Sequence, residues 1–117
     1  MNTETWVKEY TDGAFTVKIG YDYEDIPLSQ LFEEDEVDEL ARKIDAGQLD
    51  YFIALVKYFY KDIEVGCASL GGNLYEDAVT ALDQGLSGYL PQMIEEAQEE
   101  AEEYIAELRE DLENDFA

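Results

Sequence analysis

Apolar and polar residues alternate near the start of the chain and recur at helical spacing near its end, and this change of period predicts the architecture. Residues 15 to 21, FTVKIGY, set Phe15, Val17 and Ile19 against Thr16 and Lys18, the two-residue period of a strand. Residues 5 to 10, TWVKEY, read as a second strand, and Asp12-Gly13 between them is a hairpin turn signal. Residues 49 to 60, LDYFIALVKYFY, form the most hydrophobic run. Its aromatic and β-branched residues favour a strand covered on much of both faces. A helix also fits that length, but Ile63 to Leu70 follows directly after Lys61-Asp62 and makes strand plus hairpin the better reading.

Helical spacing enters at Asp35, with Val37, Leu40, Ala41 and Ile44 on one face. Gly47 is a suitable stop, and Arg42 and Lys43 suit the negative end of the helix dipole. Ahead of this helix Tyr21 to Asp25 reads as loop, Pro27 disfavours helix just before it, and Ser29 is placed to cap a short turn. Gly71-Gly72 is expected to end the fourth strand. Asn73 with Glu76 three residues on reads as a capping box for a helix over 74–84, closed by Gly85 and Gly88. A last helix then starts near Pro91, with Ser87 or Leu90 as its cap. Its apolar line runs Leu90, Ile94, Ala97, Ala101, Tyr104, Leu108, with Ile105 and Leu112 beside it. The order ββ-α-ββ-α-α predicts an α+β fold: a four-stranded antiparallel sheet of two hairpins, helices on one face, and a long acidic C-terminal helix. The 117 residues suffice for a single domain, 1–117.

Composition changes this picture in one respect. Fifteen aromatic residues and 46% hydrophobic content argue for a folded core, yet the formal net charge is -23. The charge is uneven: -1 over residues 1–20, -8 over 21–45, -4 over 46–90 and -10 over 91–117. So strong an excess argues against direct binding to nucleic acid or anionic membranes and points to a basic protein as partner. Small domains stay soluble at magnitudes of about 2 to 8, so solubility alone does not call for it. No apolar run approaches the roughly 20 residues that span a bilayer, and the first ten residues lack a leader pattern, so a cytoplasmic location is expected.

Candidate chemistry is sparse. The chain has no histidine and one cysteine, which removes the usual general base and any familiar zinc ligand set. Ser69-Leu-Gly-Gly72 lacks the Lys of a phosphate loop, and no calcium-loop spacing occurs. Asp22, Glu24 and Asp25 read as a solvated loop, and Cys67 as a buried, inert thiol. Neither an enzyme nor a cofactor or metal site is expected.

The acids of the last helix are ordered. At about 100° per residue, Glu96, Glu99, Glu103 and Glu110 fall opposite the apolar line, flanked by Glu95, Glu107 and Glu113. Eleven carboxylates lie between Pro91 and Ala117, about one per 3.7 Å of helix, close to the roughly 3.4 Å between phosphates along a DNA strand. A second acidic group, Glu34, Asp35, Asp38 and Glu39, lies at the start of the earlier helix. These eleven side chains are the candidate partner-binding residues, chosen from helix geometry.

Small size, extreme acidity and carboxylate-lined helices resemble the DNA-mimic inhibitors of bacteriophages and mobile elements, including antirestriction proteins and several anti-CRISPR proteins. That resemblance implies a host-cell target that itself binds nucleic acid, such as a restriction enzyme or CRISPR effector complex, and a homodimer. An immunity protein or chaperone for a basic toxin nuclease uses the same electrostatics. A halophilic acidic domain is a further reading, against which stands the concentration of charge in two blocks.

Overall fold

The computed structural model describes residues 3–115; Phe116 and Ala117, into which the last helix was expected to run, lie outside the described residues. Four strands, β1 (Thr5–Asp12), β2 (Phe15–Tyr23), β3 (Asp50–Tyr60) and β4 (Ile63–Tyr75), form one antiparallel sheet in the order β1-β2-β3-β4. Three α-helices, α1 (Glu34–Asp45), α2 (Ala78–Asp83) and α3 (Leu90–Asp115), complete the α+β fold, with short 3₁₀ turns at Leu28–Gln30 and Leu86–Gly88. Both predicted hairpins form, the first with its turn one residue later than Asp12-Gly13. The first turns through Gly13-Ala14, with Gly13 at φ 61, and the second through Lys61 and Asp62 at φ 48 and 68. Positive φ at both central positions, as at Lys61-Asp62, or at the first alone, as at Gly13, matches strand twist in a two-residue hairpin.

One sheet face carries the core. Val17 and Ile19 of β2 lie beside Tyr58 and Val56 of β3, and Val56 lies beside Ala68 of β4. All are buried, under Ala78, Ala81 and Leu82 of α2, Leu86, and Leu90, Met93, Ala97 and Ala101 of α3. The contact between α3 and β4 is close because both partners are small. A Cβ on Gly66 would lie 2.2 Å from the Ala97 carbonyl oxygen and 2.9 Å from the Ala101 nitrogen.

The helical layer on this face consists of α2 and α3. The Leu28–Gln30 turn and α1 are held elsewhere, at the end of the sheet where β2 finishes and β3 begins. Tyr51 projects opposite to the buried Phe52, and its hydroxyl donates to the Ile26 carbonyl at 2.8 Å. Glu24, expected in a solvated loop, accepts from Gly72 N–H at 2.8 Å and so ties this segment to β4. No residue of α1 is buried; Val37, Leu40, Ala41 and Ile44 are half-buried along the predicted face. Its C-terminus closes as predicted, with Gly47 at φ 74 and bonds from Gly47 N–H to Ile44 O and from Gln48 N–H to Lys43 O.

Five local expectations are corrected. Tyr21, Asp22 and Tyr23, read as loop, belong to β2 and pair with Ala54, Ile53 and Phe52. Gly71-Gly72 does not end β4. The two glycines bulge opposite Ile53 alone, and pairing resumes at Asn73↔Phe52. Asn73 caps no helix; it is buried, and its amide donates to Phe52 O at 3.2 Å and Leu70 O at 2.6 Å, bracing the bulge. The cap of α2 is Asp77, which accepts from Thr80 N–H at 3.2 Å and Thr80 Oγ1 at 2.5 Å. Those two bonds hold the Asp77 carboxyl below its usual range. Ser29 sits inside its turn without capping it. Ser87 does not cap α3; its hydroxyl is 2.9 Å from the Tyr75 hydroxyl, and Tyr89 O accepts from Met93 N–H in the first turn of α3.

Buried residues stop at Ala101, although α3 continues to Asp115. The last turns project past the hairpin tips and stretch the molecule to 63 × 29 × 26 Å. A helical segment of about 14 residues is marginal in water without packing. Amide exchange is therefore expected to be slow from Met93 to Ala101 and to approach free-peptide rates beyond Leu108. Uniform protection to Asp115 would mean that something else holds the projecting turns.

Candidate partner-binding surface

The helix α3 turns its carboxylates outward, but its buried line is Leu90, Met93, Ala97 and Ala101: Ile94 is only half-buried, and Tyr104, Leu108 and Leu112 of the predicted apolar face are exposed. Core contacts fix its rotation: Met93, Ala97 and Ala101 face the sheet, so residues near 180° from them face outward. Glu95, Glu96, Glu99, Glu103, Glu107, Glu110 and Glu113 are all exposed. The helix is continuous over 26 residues, about 39 Å at the usual rise. Glu95, Glu99 and Glu103 succeed one another at about 6 Å, and Glu110 and Glu113 carry the row onto the projecting half. Among the described residues, no ion pair involves an α3 carboxylate; the only side-chain partners that these acids have are Gln92 at Glu96 and Gln98 at Glu102. The row is therefore unneutralised from within the described chain.

The second acidic group is elsewhere. Glu34, Asp35, Asp38 and Glu39 are exposed on the first turns of α1, and Lys43 lies 3.6 Å from Glu39. Both ends of α1 connect to strand ends at Tyr23 and Asp50, whereas α3 projects past the hairpin tips at Ala14 and Tyr60. The two groups thus occupy opposite ends of the sheet and form two surfaces. Sequence could not reveal this, because it gave the charges of α1 without the side on which the segment attaches.

The basic residues are used locally. Lys57, on the uncovered sheet face, lies 2.7 Å from Glu4 Oε1 and 2.9 Å from Glu64 Oε1, with its ammonium 5.9 Å from the Trp6 ring centre. Lys18 lies 3.6 Å from Glu9 and over the Phe59 ring at 5.1 Å. Cys67, adjacent to Lys57 in the sheet, is half-buried; burial, followed by the charge of Glu64, pushes its thiol pKa up, so it stays protonated near neutral pH. Among the described residues, no group of three His, Cys, Asp or Glu is arranged to hold a metal ion. Among the described residues, no helix is long and apolar enough to cross a membrane.

Two of these groups predict a pH response. Burial opposes the Lys57 charge, but the hydrogen bonds donated to Glu4 and Glu64, with their charges, outweigh it and hold the pKa above the usual lysine range. Burial, then the hydrogen bond donated to Asp12 and the Asp12 charge, push the Tyr58 phenol up. Both folded-state values lie above the unfolded ones, which are near 10. Their contributions are fully present below about pH 10 and are lost as pH rises toward the folded-state values. The urea midpoint is expected to fall on the alkaline side, less steeply in Tyr58→Phe than in the parent. Equal slopes in the two proteins would remove Tyr58 from this account.

Comparison of the chain with protein-family models, with characterised proteins and with solved structures finds no match.

Proposed function

We propose that this protein is an inhibitor that occupies the nucleic-acid site of a basic host protein through the exposed face of α3. A CRISPR effector or a restriction enzyme is the target class that this reading favours, and it gives the protein no catalysis of its own. The observation that carries it is the row of exposed carboxylates on one continuous helix whose first half is locked to the sheet through Leu90, Met93, Ala97 and Ala101. A cleft built for phosphates presents Lys and Arg at the spacing of a backbone. A helix with comparable charge density competes for it without reading sequence, and a rigid scaffold lowers the entropy lost on binding. Exposed Tyr89, just before the same helix, adds a contact residue of the kind that interfaces favour.

The test is capture of partners from host lysate, followed by competition. A captured nucleic-acid-binding protein that is released by duplex DNA or RNA, and by salt, supports the reading. Capture of a toxin nuclease that the protein neutralises supports the immunity alternative. Capture that is insensitive to both nucleic acid and salt removes electrostatic occlusion altogether.

A further inference from the structure

We infer that the groove between the projecting half of α3 and the hairpin tips anchors apolar side chains of a basic amphipathic segment belonging to the partner; this rests on the reading of α3 given above. The groove has a volume of about 450 Å³ and is lined by Ala14, Phe15 and Tyr60 on the sheet side and by Ile105, Leu108, Arg109 and Leu112 on the helix side. Leu108 and Leu112 are 43% and 49% exposed, and Tyr104, one turn earlier, is 44% exposed. These three recur every four residues, the spacing by which a helix offers a stripe to a second element. The stripe continues the line of Met93, Ala97 and Ala101 after the sheet has ended, so it is a core-type face without a core.

Charge selects the occupant. At about 100° per residue, Glu100, Glu107 and Asp111 flank the stripe on one side and Glu102 with Arg109 on the other. A second copy laid along the stripe brings its own acids against these, at a net -23 per chain. A segment with apolar residues on one side and Lys or Arg along one margin fills the groove and neutralises the Glu100, Glu107 and Asp111 flank, with its uncharged margin toward Arg109. The electrostatic surface then sets encounter and the groove sets residence time.

Two synthetic peptides of equal length and equal lysine content test this: one an amphipathic Leu/Lys helix, the other with every Leu replaced by Gln. The Leu/Lys peptide is expected to bind the intact protein at least about tenfold tighter. The double variant Leu108→Ser/Leu112→Ser should erase that preference with an unchanged circular dichroism spectrum. Ala14→Gln, in an open turn position, should reduce it from the sheet side without touching the helix. Equal binding of the two peptides, abolished by charge reversal on the outer face of α3, overturns the groove and leaves the electrostatic reading standing. A preference that survives all three substitutions also overturns it. Failure of both peptides to bind overturns the groove and counts against the electrostatic reading. Concentration-dependent dimerisation that Leu108→Ser/Leu112→Ser abolishes makes a second copy the occupant and overturns the basic segment.

Discussion

Replacing Glu99, Glu103 and Glu110 together with lysine is expected to weaken binding to the captured partner about 100-fold, since each reversal exchanges an attraction for a repulsion of similar size. The three side chains are exposed; Met93, Ala97 and Ala101 hold the half of the helix that carries Glu99 and Glu103, and Glu110 stands on the projecting turns. The fold should therefore survive, and the melting temperature should hold or rise, because the change removes six units of self-repulsion. Binding that remains should depend less steeply on salt, since fewer screened contacts are left. The control is an equal reversal at Glu34, Asp35 and Asp38. Those residues sit on α1 at the far end of the sheet, so the same change in net charge should alter binding little. If the α1 variant loses as much affinity as the α3 variant, total charge governs binding and the ordered row has no special role. If the α3 variant binds like the parent, the partner uses another surface.

The value of that control comes from a feature that the sequence does not contain. Periodicity locates α1 and identifies its half-buried face, because Val37, Leu40, Ala41 and Ile44 recur within one short segment. It does not reveal where the helix attaches. That depends on Tyr51 reaching Ile26 O and Glu24 reaching Gly72 N–H, both contacts between residues more than twenty positions apart. The Asn73 error has the same origin. Asn followed three residues later by Glu is a local capping signature, but the pairing of β4 with Phe52, Tyr51 and Asp50 outcompetes a local helix start. The glycines then serve as a bulge, with Gly72 at φ 72, and the cap passes to Asp77.

The turn before α3 was legible only in part. Gly85 and Gly88 mark a break, and both have positive φ, but Leu86 and Ser87 between them do as well, at 52 and 56. A non-glycine residue there costs roughly 1–2 kcal/mol. Complete burial of Leu86 and the Ser87–Tyr75 hydroxyl pair offset that cost. By contrast, the presence of the two hairpins and the exposure of the acids of α3 were readable, though the strand ends were not. Each is decided by short-range geometry: a two-residue turn in one case, a fixed angle per residue in the other.

Gly66→Ala is expected to destabilise the fold by about 3 kcal/mol, at the upper end for an added methyl group in a packed core. Space, and not backbone conformation, sets this cost, because Gly66 is absent from the positive-φ residues. The new Cβ would sit 2.2 Å from the Ala97 carbonyl oxygen and 2.9 Å from the Ala101 nitrogen. Both are backbone atoms of α3, so no rotamer change relieves the overlap and Ala97→Gly should not rescue it. The helix must lift from β4 or the strand must bend, and either loosens the contact that sets the rotation of α3. Urea unfolding gives the stability loss, and binding gives its consequence. All eleven acids of the helix remain in this variant, and net charge is unchanged. A protein that recognises only total charge should bind it as well as the parent under conditions where it is still folded. A partner that needs a fixed row should bind it more weakly even there, because the helix no longer sits in one orientation. An unchanged unfolding midpoint in Gly66→Ala would mean that α3 does not approach β4 this closely, and the geometric basis of the row would fall with it.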